Sequence, residues 1–297
     1  CRSDDRRLWS PGVKVGVQPG SWFHRTECFG PVLGIIRADD LDHAIEIQNG
    51  TAYGLAAGLH ALDPTEIDRW LGRVEAGNLY VNRGITGAIV QRQPFGGWKR
   101  SVVGPTAKAG GPNYVSTLCR WSDDENVPLE RVAHDFDRWW REVGSVGHDP
   151  TGLSVERNEF RYRPLPGGVF VRFGARATDR QRAIVAAAAA TTGCRLVTSE
   201  ARHESPSGCA SRIVAAGVDR FRAIGIGIET DVATACHRSG VSVDDAEPVG
   251  SPDIELPRWL REQAVTVTLH RHGRIAAGAS RQLASTPMAH RDRRDGP

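Results

Sequence analysis

Several absences narrow the reading before any motif does. The chain holds six cysteines, Cys1, Cys28, Cys119, Cys194, Cys209 and Cys236, and no two of them form a CxxC pair. That removes a common sequence pattern for structural zinc and for dithiol redox chemistry. Scattered single thiols fit a reducing cytoplasm, where they are expected mostly as buried apolar side chains. No apolar run reaches the roughly 20 residues that a membrane-spanning helix needs, and no signal-peptide pattern opens the chain. An excess of one charge is also missing, since 38 Lys and Arg against 35 Asp and Glu leave +3. Nucleic-acid binding usually shows a basic stripe, and none is present here. The tail Arg291, Arg293 and Arg294 alternates with Asp292 and Asp295, which reads as a solvated end rather than a nucleic-acid arm. Finally, no Met begins the sequence, and Cys1-Arg2-Ser3-Asp4 is expected to be the interior of something longer.

What remains is an ordinary globular composition, 40% apolar and 25% charged, long enough at 297 residues for one large or two medium domains. The chain is organised around residues 78 to 100. A short apolar strand, Leu79 to Val81, runs into a loop with Gly84, Gly87, Gly96 and Gly97. Glycine permits positive φ and close approach of a ligand, and a loop directly after a buried strand is where α/β proteins hold small molecules. The amides of Gly87 and Ala88 could donate to a carboxylate, and Phe95 behind Pro94 could wall an apolar slot. A tight glycine-rich turn with no ligand is the competing reading.

Upstream, Val13, Val15 and Val17 alternate as a strand between two Pro-Gly turns. Val32 to Arg37 reads as a second strand, followed by a helix capped by Asp39 or Asp40 with Leu41, Ala44, Ile45 and Ile47 on its inner side. Asp63-Pro64 starts a helix carrying Ile67, Trp70, Leu71 and Val74 on one face, with Gly77 as its stop. Strand, helix, strand, helix, strand predicts a parallel α/β layer. Tyr114 to Trp121 alternates as a further strand, whose exposed edge invites association.

Two stretches carry a family resemblance. Residues 83 to 99 resemble the substrate-anchoring loop of aldehyde dehydrogenases that oxidise L-glutamate γ-semialdehyde, as in the dehydrogenase half of bifunctional proline utilisation A flavoproteins. Gln93-Pro-Phe-Gly-Gly-Trp-Lys-Arg-Ser101 is shared in part by many aldehyde dehydrogenases, whereas Ile85-Thr-Gly-Ala-Ile-Val-Gln-Arg92 is more discriminating. The resemblance implies that the Gly87 and Ala88 backbone holds the substrate's α-carboxylate and that Phe95 packs on its aliphatic part. Thr26-Glu27-Cys28-Phe29-Gly30-Pro31-Val32 resembles the family's Glu-x-Phe-Gly-Pro motif. This implies that Glu27 bonds the nicotinamide ribose hydroxyls of NAD and that Phe29 packs beside the nicotinamide, roles that a carboxylate and an aromatic edge suit. Cys28 falls at the motif's variable position and is not expected to be the nucleophile. Cys1 lies too close to Glu27 for that role, and the family's nucleophile belongs further upstream. No catalytic residue and no metal ligand is therefore assigned, and FAD is expected only in an upstream domain that this sequence does not contain.

The second half divides less sharply. Residues 122 to 157 read as a linker with a Trp-rich helix in which Phe136, Trp139 and Trp140 pack rather than cage a ligand. From residue 158 a βα rhythm resumes. Strands are expected at Val169 to Phe173, Arg195 to Thr198, Phe221 to Ile226 and Ala264 to Leu269. Helices are expected at Asp179 to Thr191, Ser207 to Ala216, Glu229 to Arg238 and Ile254 to Gln263. Gly225 and Gly227 begin a dinucleotide fingerprint whose third glycine is replaced by Thr230, and the acidic partner could be Asp244 or Asp245. A non-binding, structural layer is the favoured reading. It resembles the C-terminal extension of longer proline utilisation A proteins. His270 and His272 share a strand face but lack further ligands.

The fold expected is thus α/β, an aldehyde-dehydrogenase-like catalytic-domain portion over residues 1–121 plus a second Rossmann-like domain over 158–297. The resemblance implies an NAD-dependent oxidation of an amino-acid aldehyde, in a homo-oligomer or with an upstream dehydrogenase portion. A non-catalytic oligomerisation or scaffold module is the alternative. Catalysis of this kind needs a thiolate, an oxyanion donor and a base, and none is identifiable in these residues, so this chain by itself is expected to be inactive.

Overall fold

The computed structural model describes residues 8–104, 107–271 and 274–275. The first elements follow local chemistry closely. β1 (Gly12–Val15) pairs in parallel with β2 (Val32–Ile35), Val13 opposite Leu33. Between them lies the single turn α1 (Trp22–Arg25), capped by Ser21. α2 (Leu41–Asn49) starts at Asp40, whose carboxylate accepts the His43 N–H at 2.8 Å, and buries Ile45. β3 (Tyr53–Gly54) and β4 (Ala56–Leu59) follow. α3 (Pro64–Arg73) is capped by Asp63 and turns Ile67, Trp70 and Leu71 inward.

α3 ends at Arg73 rather than at Gly77. Val74 is extended, at φ −71° and ψ 139°, and buried, while Gly77 N–H already donates to Gly54 O at 2.9 Å. Two arginines from the second half of the chain satisfy the carbonyls that the helix end leaves open. Arg161 Nη2 donates to Leu71 O and Arg163 Nη2 to Gly72 O, both at 2.7 Å.

β5 (Asn78–Val81) is buried at all four positions, as a parallel central strand should be. β6 (Trp98–Lys99) returns antiparallel to β3. α4 (Leu129–Trp139) continues into a π-turn over Trp140–Gly144. Its Val132, Phe136 and Trp139 join Phe160, Tyr162, Val171 and Ile184 in one core, so the Trp-rich helix packs as part of that layer.

β7 (Glu156–Pro164) is a long strand that the sequence pattern concealed. Then come β8 (Val169–Phe173), α5 (Asp179–Thr192), β9 (Leu196–Glu200), α6 (Pro206–Ala216), β10 (Arg220–Ile224), α7 (Thr230–Ser239) and β11 (Ser242–Asp244). These four strands form a parallel sheet of order β11-β10-β8-β9. One core lies under α5 and another under α6 and α7, a doubly wound arrangement.

Two expected elements differ. Ile254–Gln263 is not a helix. α8 (Pro252–Glu255) gives way to a 3-10 turn at Leu256–Trp259 and then to β12 (Leu260–Thr268). Pro257 has no N–H with which to continue an α-helix, and the following residues find strand partners on both sides. Tyr114–Trp121 is not a strand either. Val115–Leu118 is a 3-10 turn, in which Ser116 Oγ donates to Asn113 O at 2.7 Å and Thr117 Oγ1 to Tyr114 O at 2.6 Å. Hydroxyls bonding nearby carbonyls favour such local turns over a sheet ladder.

The second sheet has the order β4-β5-β12-β7. β4, β5 and β12 are parallel, and β7 runs antiparallel to β12 from Leu260↔Pro164 to Thr268↔Glu156. This sheet draws strands from both sides of the 122–157 segment. His270 is exposed in a two-residue strand. His272, Cys1 and the Arg291–Asp295 tail lie outside the described residues.

If α4 is core, Phe136→Ala should cost about 3–5 kcal/mol. Leu129→Ala, at a position 37% exposed, should cost about 1 kcal/mol or less. Urea unfolding of the two variants decides this. Equal midpoint shifts would make the segment a linker.

Candidate functional site

β5 delivers the loop. Leu79 and Val81 point into the core under α3, so by strand alternation Asn78 and Tyr80 occupy the opposite face. Both organise the loop that follows. Tyr80 O–H donates to Gly87 O at 3.2 Å, and burial raises the Tyr80 phenol above its ordinary value. Asn78 Nδ2 donates to Pro94 O at 3.0 Å, and its Oδ1 accepts the Gly96 N–H at 3.1 Å. Gly87 sits at φ +76°, in the left-handed region where an L side chain is strained. Among the described residues, the Gly87 and Ala88 amides have no protein acceptor. Phe95 is tied by its backbone to Ala109, at 2.9 and 3.0 Å, and its side chain is 39% exposed.

A cavity of about 880 Å³ lies beside the loop, lined by Gln91, Arg92, Pro94, Asn113, Asn158 and Tyr162 among others. Gly87, Ala88 and Phe95 do not line it. Glu27 and Phe29 lie in the segment leading into β2. Thr26 and Cys28 line a small cavity of about 250 Å³. Glu27 and Phe29 alternate with them and are exposed, Phe29 at 97%. Among the described residues, no hydrogen bond, ion pair or ring contact joins Glu27 or Phe29 to Gly87, Ala88 or Phe95.

The structure adds polar residues that the sequence pattern did not single out. Lys108 is 1% exposed. Its Nζ donates to Asn78 Oδ1 at 3.1 Å and to the Gly96 carbonyl, while its N–H donates to Glu262 Oε2 at 2.8 Å. Burial depresses the Lys108 amine to about 7, against the opposing charge of Glu262, and burial raises the Glu262 carboxyl. Gln93, 3% exposed, accepts the Ile89 N–H at 2.6 Å and donates to Asn158 Oδ1 at 2.9 Å. Glu156 pairs with Arg83 and Arg92. Buried polar residues in an apolar strand context, such as Asn78, were the available sequence cue. The partners on β7 and β12 carried none.

The second layer has its switch point between β8 and β10, where doubly wound folds bind nucleotides. Here that crevice is filled. Gly225, at φ +65°, abuts the Arg176–Ala177 backbone so closely that a Cβ would collide with the Ala177 nitrogen. The first turn of α5 is satisfied by a reciprocal Thr178–Gln181 capping box. Cys194, Cys209 and Cys236 are buried. Burial raises all three thiols, Cys194 and Cys236 to about 11, the opposite of an activated nucleophile. Among the described residues no group of three His, Cys, Asp or Glu side chains could hold a metal ion, and no helix is long and apolar enough to cross a membrane.

With this geometry in view, the comparisons define a class first. Residues 2–122 match the aldehyde dehydrogenase family. A 1-pyrroline-5-carboxylate dehydrogenase of Geobacillus sp. (strain WCH70) is 44% identical over 105 residues, 35% of this chain and 20% of that protein. The bifunctional protein PutA of Rhizobium meliloti is 44% identical over 119 residues, 38% of this chain and 10% of that one. The chain thus matches about a fifth or less of the length of these curated relatives. The solved structure of proline utilization A (PutA) from Corynebacterium freiburgense superposes with a TM-score of 0.77 at 44% identity. It covers 90% of this chain and 28% of its own. The likeness therefore extends through both halves, with the α/β fold of that protein.

Lys108 gives a pH test. Its folded value is about 7 and its ordinary value 10.5. Between them the unfolded chain binds more protons, so this group makes stability rise with pH from about 7 to about 10.5 and contributes no slope below that window. The stability of the wild type relative to Lys108→Met should rise across it in denaturant titrations. A constant difference would mean an ordinary amine.

Proposed function

We propose that this chain supplies the substrate-anchoring wall and one edge of the NAD pocket of an enzyme oxidising L-glutamate γ-semialdehyde to L-glutamate in proline breakdown. The observation that carries this is the pair of free amides at Gly87 and Ala88, on a loop braced by Tyr80, Gln93 and Asn78. Two adjacent N–H groups fixed by their surroundings can take one carboxylate without first reorganising. Phe95 offers the aliphatic chain an apolar surface. This division suits an amino-acid aldehyde, with an acid at one end and a reacting carbonyl at the other.

NAD, when bound, accepts the hydride. Glu27 fits the cofactor's ribose, because its exposed carboxylate has no protein partner among the described residues and can accept from two vicinal hydroxyls. Phe29, uncovered at 97% exposure, presents an aromatic surface two residues further on. The attacking thiolate is assigned, by the family resemblance, to polypeptide outside these residues; Cys194, Cys209 and Cys236 are buried with raised thiols. Cys28 lines a separate small cavity. FAD belongs to a separate proline-oxidising domain, and the free thiols support a cytoplasmic location.

Assembly is part of the reading. A two-stranded parallel sheet is rarely left uncovered, yet Val13, Val15 and Leu33, which share one face of the pair, are 62, 75 and 59% exposed. An upstream dehydrogenase portion or a second copy would cover them. The same exposed face supports the alternative, a non-catalytic scaffold module. Spectrophotometric assay of NADH formation with L-glutamate γ-semialdehyde distinguishes them. The purified chain alone should give no turnover, and adding a dehydrogenase portion that carries the nucleophile should restore it. Turnover by the chain alone would refute the assignment of the thiolate, and failure of every reconstitution would favour the scaffold.

A further inference from the structure

Both legs of the 83–93 loop are held by one strand from the other half of the chain. On the incoming leg, Arg83 Nη1 donates to Glu156 Oε2 at 3.0 Å. The Arg83 guanidinium also lies 5.6 Å from the centroid of Tyr80, the ring whose hydroxyl bonds Gly87 O. On the outgoing leg, Arg92 Nη1 donates to the other oxygen, Glu156 Oε1, at 2.5 Å. Next to it, Gln93 links the Ile89 N–H to Asn158 Oδ1. Glu156 and Asn158 are two residues apart on β7 and project from one face, at 8% and 2% exposure.

Asn158 is itself fixed on several sides. Its Oδ1 also accepts from Thr266 Oγ1 at 3.0 Å, its Nδ2 donates to Thr151 Oγ1 at 3.2 Å, and its N–H donates to Asp149 Oδ2 at 2.9 Å. A carboxylate shared oxygen by oxygen between two guanidiniums couples the legs, so a displacement of either is felt by the other. Charge-assisted bonds of this kind are short and directional. The same carboxylate engages two cations that precede and follow Gly87 and Ala88 in the chain.

We propose that Glu156 and Asn158 are positioning residues for the anchor loop. They fix how Gly87 and Ala88 are presented, so the second half of the chain sets the affinity for the amino-acid carboxylate. This rests on the anchor reading given above. The test separates the two by measuring loop protection and ligand binding independently on the full 297-residue chain. Hydrogen exchange of the Ile89 amide, followed by NMR, reports the clamp. Titration with L-glutamate, read at the Gly87 and Ala88 amide resonances, reports the anchor.

Glu156→Gln and Asn158→Ala should each speed Ile89 exchange at least tenfold and weaken L-glutamate about tenfold, with exchange in β5 unchanged. Arg92→Ala breaks the same ion pair from its exposed side. It should reproduce the effect even if a β7 variant fails to fold. Ile89 exchange and L-glutamate affinity both unchanged in Arg92→Ala and in the folded β7 variants would overturn the proposal. Faster exchange with no L-glutamate binding in any protein would uphold the clamp and overturn the substrate reading.

Discussion

The parallel ladder between β5 and β12 is the constraint on which the rest of the structure depends. Asn78 lies opposite Ala264 and Val81 opposite Val267. β5 is therefore flanked on one side by β4 and on the other by a strand nearly two hundred residues later in the chain. That pairing leaves β5 no open edge, and all four of its residues are buried. It also brings Glu262 beside Lys108, and through β7 it brings Glu156 and Asn158 beneath the glycine loop. A strand left at an edge would carry a row of unpaired backbone groups, and the loop beyond it would be supported from one side only.

Polar burial around that ladder is extensive and nearly fully bonded. Asn78, Gln93, Lys108, Asn158, Glu262, Gln263 and Thr266 are all buried, and each has side-chain or backbone partners. Such networks specify one arrangement because each unmade bond costs a desolvated group. The loop that they hold exposes bare amides at its tip. A rigid base beneath a free donor pair is what recognition of a carboxylate requires, since donors already in place need no ordering when the ligand arrives.

Much of this was legible in the sequence where chemistry is local. Asp40 and Asp63 start helices because their side chains bond amides two or three residues ahead. The face of Ile67, Trp70 and Leu71 is buried as its spacing predicts. The apolar strand and glycine loop at 79–97 stand out by composition alone. β7 was concealed because Arg157, Glu159, Arg161 and Arg163 make it look like a solvated charged segment. Those side chains instead cap α3 or lie in ion pairs along the strand itself. The alternation of Tyr114–Trp121 misled because hydroxyls at Ser116 and Thr117 favoured a local turn. Partners separated as Arg92 and Glu156 are, or Lys108 and Glu262, leave no trace in one sequence, because nothing local requires them.

A crystal structure of the chain with L-glutamate bound would test the central claim most directly. The account requires the α-carboxylate within hydrogen-bond distance of both the Gly87 and Ala88 nitrogens, with the aliphatic chain against Phe95 and the Glu156 bridge intact. A carboxylate seated instead on Arg83 or Arg92, with those two amides turned to solvent, would contradict it.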